Sequence, residues 1–146
     1  MSAGGESGKL HGLSPLIQEA DVTQLLAIAA GGAIGSVLRF LMSTGVYRLL
    51  GRDFPYGTMA VNVVGSFFIG LLFILLVERL SMSPELRAGI LVGLIGAFTT
   101  FSTFSLETLA LLEEGEVLKS LLNVLLSVFL CLGATWIGMI MGRLYE

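Results

Sequence analysis

The amino-acid sequence predicts an all-α membrane protein built as a bundle of four transmembrane helices. Two observations lead there before any motif is considered. Hydrophobic residues make up 55% of the 146-residue chain against 13% charged, and the apolar residues gather into four long runs separated by short polar turns. A soluble domain of this size needs far more charge to cover its surface, and the mean hydropathy of +0.91 agrees. A bilayer core of about 30 Å takes roughly 20 apolar residues in a helix, so there is room for about four passes and no separate soluble domain. Lipid gives the backbone no hydrogen-bond partner, which leaves helices or a closed barrel, and these runs lack the alternation of barrel strands.

Residues 1–20 are rich in Gly, Ser and charge and read as a polar extension. They are expected to be disordered, or to carry a short interfacial helix with Ser14 as N-cap and Pro15 at its first position. The segment lacks the order of a signal peptide. The membrane domain occupies 21–146. Asp21-Val22-Thr23-Gln24 has the form of a capping box, and the first span follows from Leu25 to near Gly51. The second begins at Phe54-Pro55 and runs to Leu80; Pro84 opens the third, which reaches about Leu112. Glu113-Glu114-Gly115-Glu116 makes the last turn, and the fourth span covers Val117 to Leu144.

Three short turns make neighbouring helices antiparallel, and four passes put both termini on one side. Lys9, Arg79, Arg87 and Arg143 then lie on the terminal side, with Arg48, Arg52 and Lys119 on the other. Four against three gives no usable orientation bias, so either something else fixes the insertion or copies insert both ways. Small residues recur at packing spacing: Gly31 with Gly35, Gly32 with Ser36, Gly89 with Gly93 and Gly138 with Gly142. Four such helices make a bundle too thin for a private pore, and an oligomer is the expected working unit.

A net charge of −3 with no basic block leaves nucleic-acid binding without an electrostatic footprint. The single cysteine, Cys131, excludes an intrachain disulfide. The sole histidine, His11, lies in the polar extension and is read as solvated. No nucleophile, base and orienting group can be assembled from these spans, so an enzyme is the weakest reading.

Chemistry concentrates in a few places. Gly96-Ala97-Phe98-Thr99-Thr100-Phe101-Ser102-Thr103-Phe104-Ser105 falls mid-span in the third helix. Its crowd of hydroxyls either breaks the helix, freeing carbonyls that can coordinate a cation, or bonds back to the preceding turn of an intact one. Phe101 and Phe104 share a face; such a pair is usually packing, yet ring edges carry positive potential and can face an anion. Asn62, one turn before Ser66, must be paired inside the bundle, either donating to an anion or bonding another helix. Asn123, Ser127, Cys131 and Thr135 form one stripe at four-residue spacing, which either lines a watery path or holds helices together. Arg39 is the only basic residue well inside a span and is expected to snorkel to a vestibule where it attracts anions. Glu107 is expected near the opposite-facing interface, about 12 Å along the helix from Thr99 at 1.5 Å per residue.

Gly31-Gly32-Ala33-Ile34-Gly35 with Arg39, Gly57-Thr58, Asn62-Val63 with Gly65-Ser66-Phe67, and Gly93 with the run from Gly96 to Ser105 and Glu107 resemble the small fluoride channels known as Fluc or CrcB. The likeness covers nearly everything from Gly31 to Gly142, and the Thr-Thr-Phe-Ser-Thr-Phe-Ser run is its specific part. It implies an antiparallel homodimer of oppositely inserted subunits in membrane lipid, with two fluoride pores and a structural sodium ion at the interface. Carried over position by position, it puts the sodium on the carbonyls of Gly96 and Thr99. The pore then falls on Asn62, Phe101, Ser102, Thr103, Phe104, Asn123, Ser127 and Cys131, and the vestibule on Arg39 and Glu107. Cys131 stands where a hydroxyl would be expected. The implied activity is passive fluoride export across the plasma or inner membrane. A dual-topology small multidrug exporter is the rival, but it needs a glutamate within the first helix, and none is there. A non-conducting membrane subunit is the third reading.

Overall fold

The computed structural model describes residues 22–80 and 82–144. Among these, four helical stretches are long and apolar enough to cross a membrane: Val22–Leu50, Tyr56–Arg79, Pro84–Glu113 and Val117–Leu144. The protein is therefore a multi-pass, all-α membrane protein. The polar extension with Lys9, and Asp21 at the head of the capping box, lie outside the described residues.

The first span is the single helix α1 (Val22–Leu50). Gly51, at φ +82°, ends it in a left-handed turn that a side chain would strain. The second span is α2 (Tyr56–Phe73), opened by Pro55 and continued by a π-helical stretch, Ile74–Arg79. There the Leu80 N–H reaches back five residues to the Leu75 carbonyl at 2.8 Å. The third span starts at α3 (Pro84–Ala88), whose N-cap Ser83 accepts from the Leu86 N–H. It continues through a second π-helical stretch, Gly89–Ile95, into α4 (Gly96–Phe98). Thr99 and Thr100 are then extended, at φ −80°, ψ 161° and φ −151°, ψ 115°, before α5 (Phe101–Glu113) resumes. Gly115, at φ +79°, turns the chain into α6 (Val117–Leu144).

Packing follows glycines. The Gly89 carbonyl points at Gly31, where an added Cβ would lie 2.1 Å from it, and Leu94 O lies equally close to Gly35 at 2.2 Å. These contacts seat α1 on the π-helical part of the third span. On the other flank a Cβ added to Gly138 would lie 2.2 Å from Phe67 O and one added to Gly70 2.2 Å from Thr135 O, so bare backbone joins α2 to α6. Backbones can meet this closely only without side chains between them. The interior is thin: the largest fully buried side chains are Ile74, Val61 and Asn123. Large apolar side chains such as Leu26, Phe40, Leu49, Phe129, Leu132 and Trp136 point outward, as lipid demands.

Candidate functional site

The interruption at Thr99 and Thr100 organises the site. In a continuous helix the Thr100 N–H would bond the Gly96 carbonyl. Here it donates to Asn62 Oδ1 at 2.8 Å, while Asn62 Nδ2 donates to the Thr100 carbonyl at 3.0 Å. The amide of the second span thus takes both polar groups of the Thr100 residue, which is 8% exposed. The Thr100 hydroxyl accepts from the Thr103 N–H at 3.2 Å and so caps α5. That removes the helical donor of the Thr99 carbonyl, whose remaining contact is Arg39 Nη1 at 3.5 Å. The Gly96 carbonyl keeps only the Thr99 hydroxyl, also at 3.5 Å. Two uncharged carbonyl oxygens are left with weak partners at one place.

Two cavities meet at this extended segment. One, of about 380 Å³, is lined by Asn62, Thr99, Phe101, Phe104, Ser127 and Cys131, with Gly96 at its edge. The rings of Phe101 and Phe104 lie 5.4 Å apart, tilted by 43°, and Phe101 is 79% exposed. The other cavity, of about 360 Å³, holds Arg39 among Ser36, Ser43, Thr58, Ser102 and Thr103. Thr100 lines both.

Several residues that the family resemblance put in one pore or vestibule line different cavities within the single chain. Ser102 and Thr103 share a cavity with Arg39 and not with the phenylalanines, because α5 turns them to its other side. Asn123 is 1% exposed and donates to Thr108 Oγ1 at 2.8 Å, so it joins α6 to α5 and does not face the phenylalanine cavity. The Ser127 hydroxyl donates to Asn123 Oδ1 at 3.4 Å, yet Ser127 also lines that cavity with Cys131. The polar stripe is therefore helix glue at one end and cavity wall at the other. Glu107 does not share a cavity with Arg39. It lies in a third space of about 220 Å³ with Tyr47, Arg52 and Glu114, and it accepts from the Tyr47 hydroxyl at 2.7 Å.

Thr100, Thr58, Thr108 and Tyr47 were not singled out as site residues from the sequence. Thr108 donates to the Phe104 carbonyl at 2.6 Å and accepts from Asn123, and its main-chain carbonyl accepts from Ser120. Lone hydroxyls inside apolar runs were the available signal, since each needs a partner in lipid. Tyr47 lies near a helix end, where an aromatic at the membrane interface is common and gives no signal of its own.

Among the described residues no three His, Cys, Asp or Glu side chains gather where they could hold a metal. The only donor set of interest is the carbonyl pair of Gly96 and Thr99. Neutral carbonyl oxygens suit a hard monovalent cation such as sodium, and Arg39 would have to give up its long contact to Thr99.

Comparison with known proteins fits these features. A family described as CrcB-like protein, Camphor Resistance (CrcB), matches residues 26–139. A protein of Methylococcus capsulatus named fluoride-specific ion channel FluC is 58% identical over 119 residues; the match covers 82% of this chain and 52% of that relative. The chain thus spans about half the length of that protein. Relatives of the same name from Geobacter sulfurreducens and Magnetococcus marinus are 54% and 53% identical, over 84% and 83% of this chain and 98% of each relative. With the family match running through all four spans and these relatives more than half identical along nearly their whole length, the chain belongs to the CrcB-like protein family.

Proposed function

We propose that this protein is a fluoride-selective channel through which fluoride leaves the cytoplasm passively, lowering its concentration inside the cell. It is a channel and not an enzyme. What carries the reading is the cavity of Asn62, Phe101, Phe104, Ser127 and Cys131 at an interrupted helix, in a chain whose relatives are named fluoride-specific ion channels. Fluoride is small and strongly hydrated, so a selective path must replace its water with positive edges and donors. The tilted phenyl pair offers ring edges, and hydroxyls and the Cys131 thiol offer weak donors. Arg39, among the hydroxyl side chains of Ser36, Ser43, Thr58, Ser102 and Thr103, supplies a positive vestibule on the far side of Thr100.

The working unit is an antiparallel homodimer of oppositely inserted subunits, located in the plasma or inner membrane. Two features support it. Phe101 is 79% exposed although it flanks the cavity, which leaves a face for a second copy to cover. The Lys and Arg balance is also nearly even across the membrane. Gly96 and Thr99 would hold a structural sodium ion through their carbonyls, and that ion would satisfy groups that the helix interruption leaves poorly partnered.

The deciding experiment reconstitutes the purified protein alone in liposomes loaded with potassium fluoride, adds a potassium ionophore to carry the compensating charge, and follows efflux with a fluoride electrode. Rapid fluoride release, and no chloride release from liposomes loaded with potassium chloride, is the expected result. Liposomes no leakier than protein-free controls would remove the channel reading and leave a non-conducting subunit.

A further inference from the structure

The third cavity holds Glu107, which the resemblance put in the vestibule with Arg39 but which lies apart from it. Glu107 Oε1 is held by the Tyr47 phenol at 2.7 Å, while Oε2 is buried without a hydrogen-bond partner. A carboxylate oxygen of this kind accepts, so the phenol spends its single proton on Glu107. Thr58 Oγ1 lies 3.3 Å from the same phenol oxygen and must therefore be the donor in that contact. The result is an ordered chain from Thr58 through Tyr47 to Glu107. Thr58 lines the Arg39 cavity and Glu107 lines the other, so Tyr47 stands between the cation and the carboxylate.

The Tyr47 ring has little freedom to do otherwise. A Cβ on Gly57 would lie 2.4–2.7 Å from three of its carbons, so the ring rests directly on the backbone of α2. The Arg52 guanidinium covers the ring at 5.3 Å from its centroid. A glycine beneath, an arginine above and a hydroxyl at the tip fix where the phenol points.

We propose that Tyr47 is a positioning residue: it holds the Glu107 carboxylate out of the Arg39 vestibule, so that the vestibule keeps the positive charge that draws an anion in. This rests on the fluoride-channel reading. Without the phenol, both carboxylate oxygens lack a donor in a half-buried place, and the hydroxyl released on the Arg39 side is that of Thr58, which lines the Arg39 cavity. A carboxylate that turns to it brings negative charge toward the Arg39 vestibule. The Tyr47→Phe substitution keeps the ring on Gly57 and removes only the hydroxyl, which separates positioning from packing.

The test uses the full chain in liposomes with four forms: wild type, Tyr47→Phe, Glu107→Gln and the double variant. Tyr47→Phe is expected to slow fluoride efflux at low ionic strength by about tenfold or more, the weight of one charged hydrogen bond. It should also flatten the dependence of efflux on impermeant salt, since screening has less attraction left to remove. In the Glu107→Gln background the same substitution should change efflux by less than about twofold, because no free carboxylate remains. An unchanged rate in Tyr47→Phe, an unchanged salt dependence, or an equal loss in both backgrounds overturns the proposal. A readout independent of transport is the infrared carboxylate band that Glu107→Gln removes: Tyr47→Phe must shift it, and an unshifted band also overturns the proposal. If wild type passes no fluoride, the channel reading falls, and the infrared result still decides whether Tyr47 holds Glu107.

Discussion

Asn62 shows how much one side chain decides here. Its amide takes both polar groups of Thr100, so the break in the third span is held from the second. Asn62→Leu would strand a buried N–H and a buried carbonyl, each costing about 1–3 kcal/mol. The expected outcome is a clear fall in thermal unfolding temperature in detergent together with loss of fluoride flux; a variant as stable as wild type would show that the break does not depend on this clamp. The phenylalanines belong to the same scale. Ile keeps most of the volume of Phe but removes the positive ring edge. Phe101→Ile and Phe104→Ile should each cut fluoride efflux at least about tenfold while the protein still purifies. Near-normal efflux in both would retire the aromatic lining.

At the scale of elements, two small-residue pairs that look alike in sequence, Gly31 with Gly35 and Gly32 with Ser36, have different duties. Gly31 and Gly35 sit against the carbonyls of Gly89 and Leu94, whereas a Cβ on Gly32 would meet nothing nearer than the Ala97 side chain at 4.0 Å. Gly35→Val should therefore push α1 off the third span and destabilise the protein by about 1–3 kcal/mol or more. Gly32→Ala should be neutral or slightly stabilising, since alanine favours a helix over glycine by about 1 kcal/mol. Melting curves of the two in one detergent check the contrast, and equal losses would contradict it. The π-helical stretches at Ile74–Arg79 and Gly89–Ile95 carry no local sequence signature. The second lies under α1, with the Gly89 carbonyl turned toward Gly31, so it goes with close backbone packing more than with residue type.

For the whole molecule, assembly turns on orientation. The sequence sets Lys9, Arg79, Arg87 and Arg143 against Arg48, Arg52 and Lys119 as the basic residues of the two sides, a balance too even to direct insertion. In a Cys131→Ser, Glu146→Cys variant, an impermeant thiol reagent applied to intact cells should label about half of the chains if both orientations are made. All or none would overturn dual insertion. Adding three lysines after Glu146 should force one orientation; activity should then vanish and return on coexpression with a variant biased the opposite way.

The four spans were legible from the chain because the bilayer itself sets their length. Expected limits at Gly51, Leu80, Leu112 and Leu144 fall within about a residue of the ends observed at Leu50, Arg79, Glu113 and Leu144. The hydroxyl run from Thr99 to Ser105 marked where a helix was weakest, but the local sequence by itself favoured an intact helix whose hydroxyls bond back to the preceding turn. Only tertiary structure could choose, because the group that takes the Thr100 N–H comes from Asn62, 38 residues away. The same holds for the polar stripe of α6. Four-residue spacing put Asn123, Ser127 and Cys131 on one face, and the approach of Thr108 from α5 decided that Asn123 would bind a helix while Ser127 and Cys131 reached a cavity. Length and hydropathy answer to the solvent and are written locally; the pairing of a buried polar group answers to whichever helix packs beside it, and that is fixed only when the helices meet.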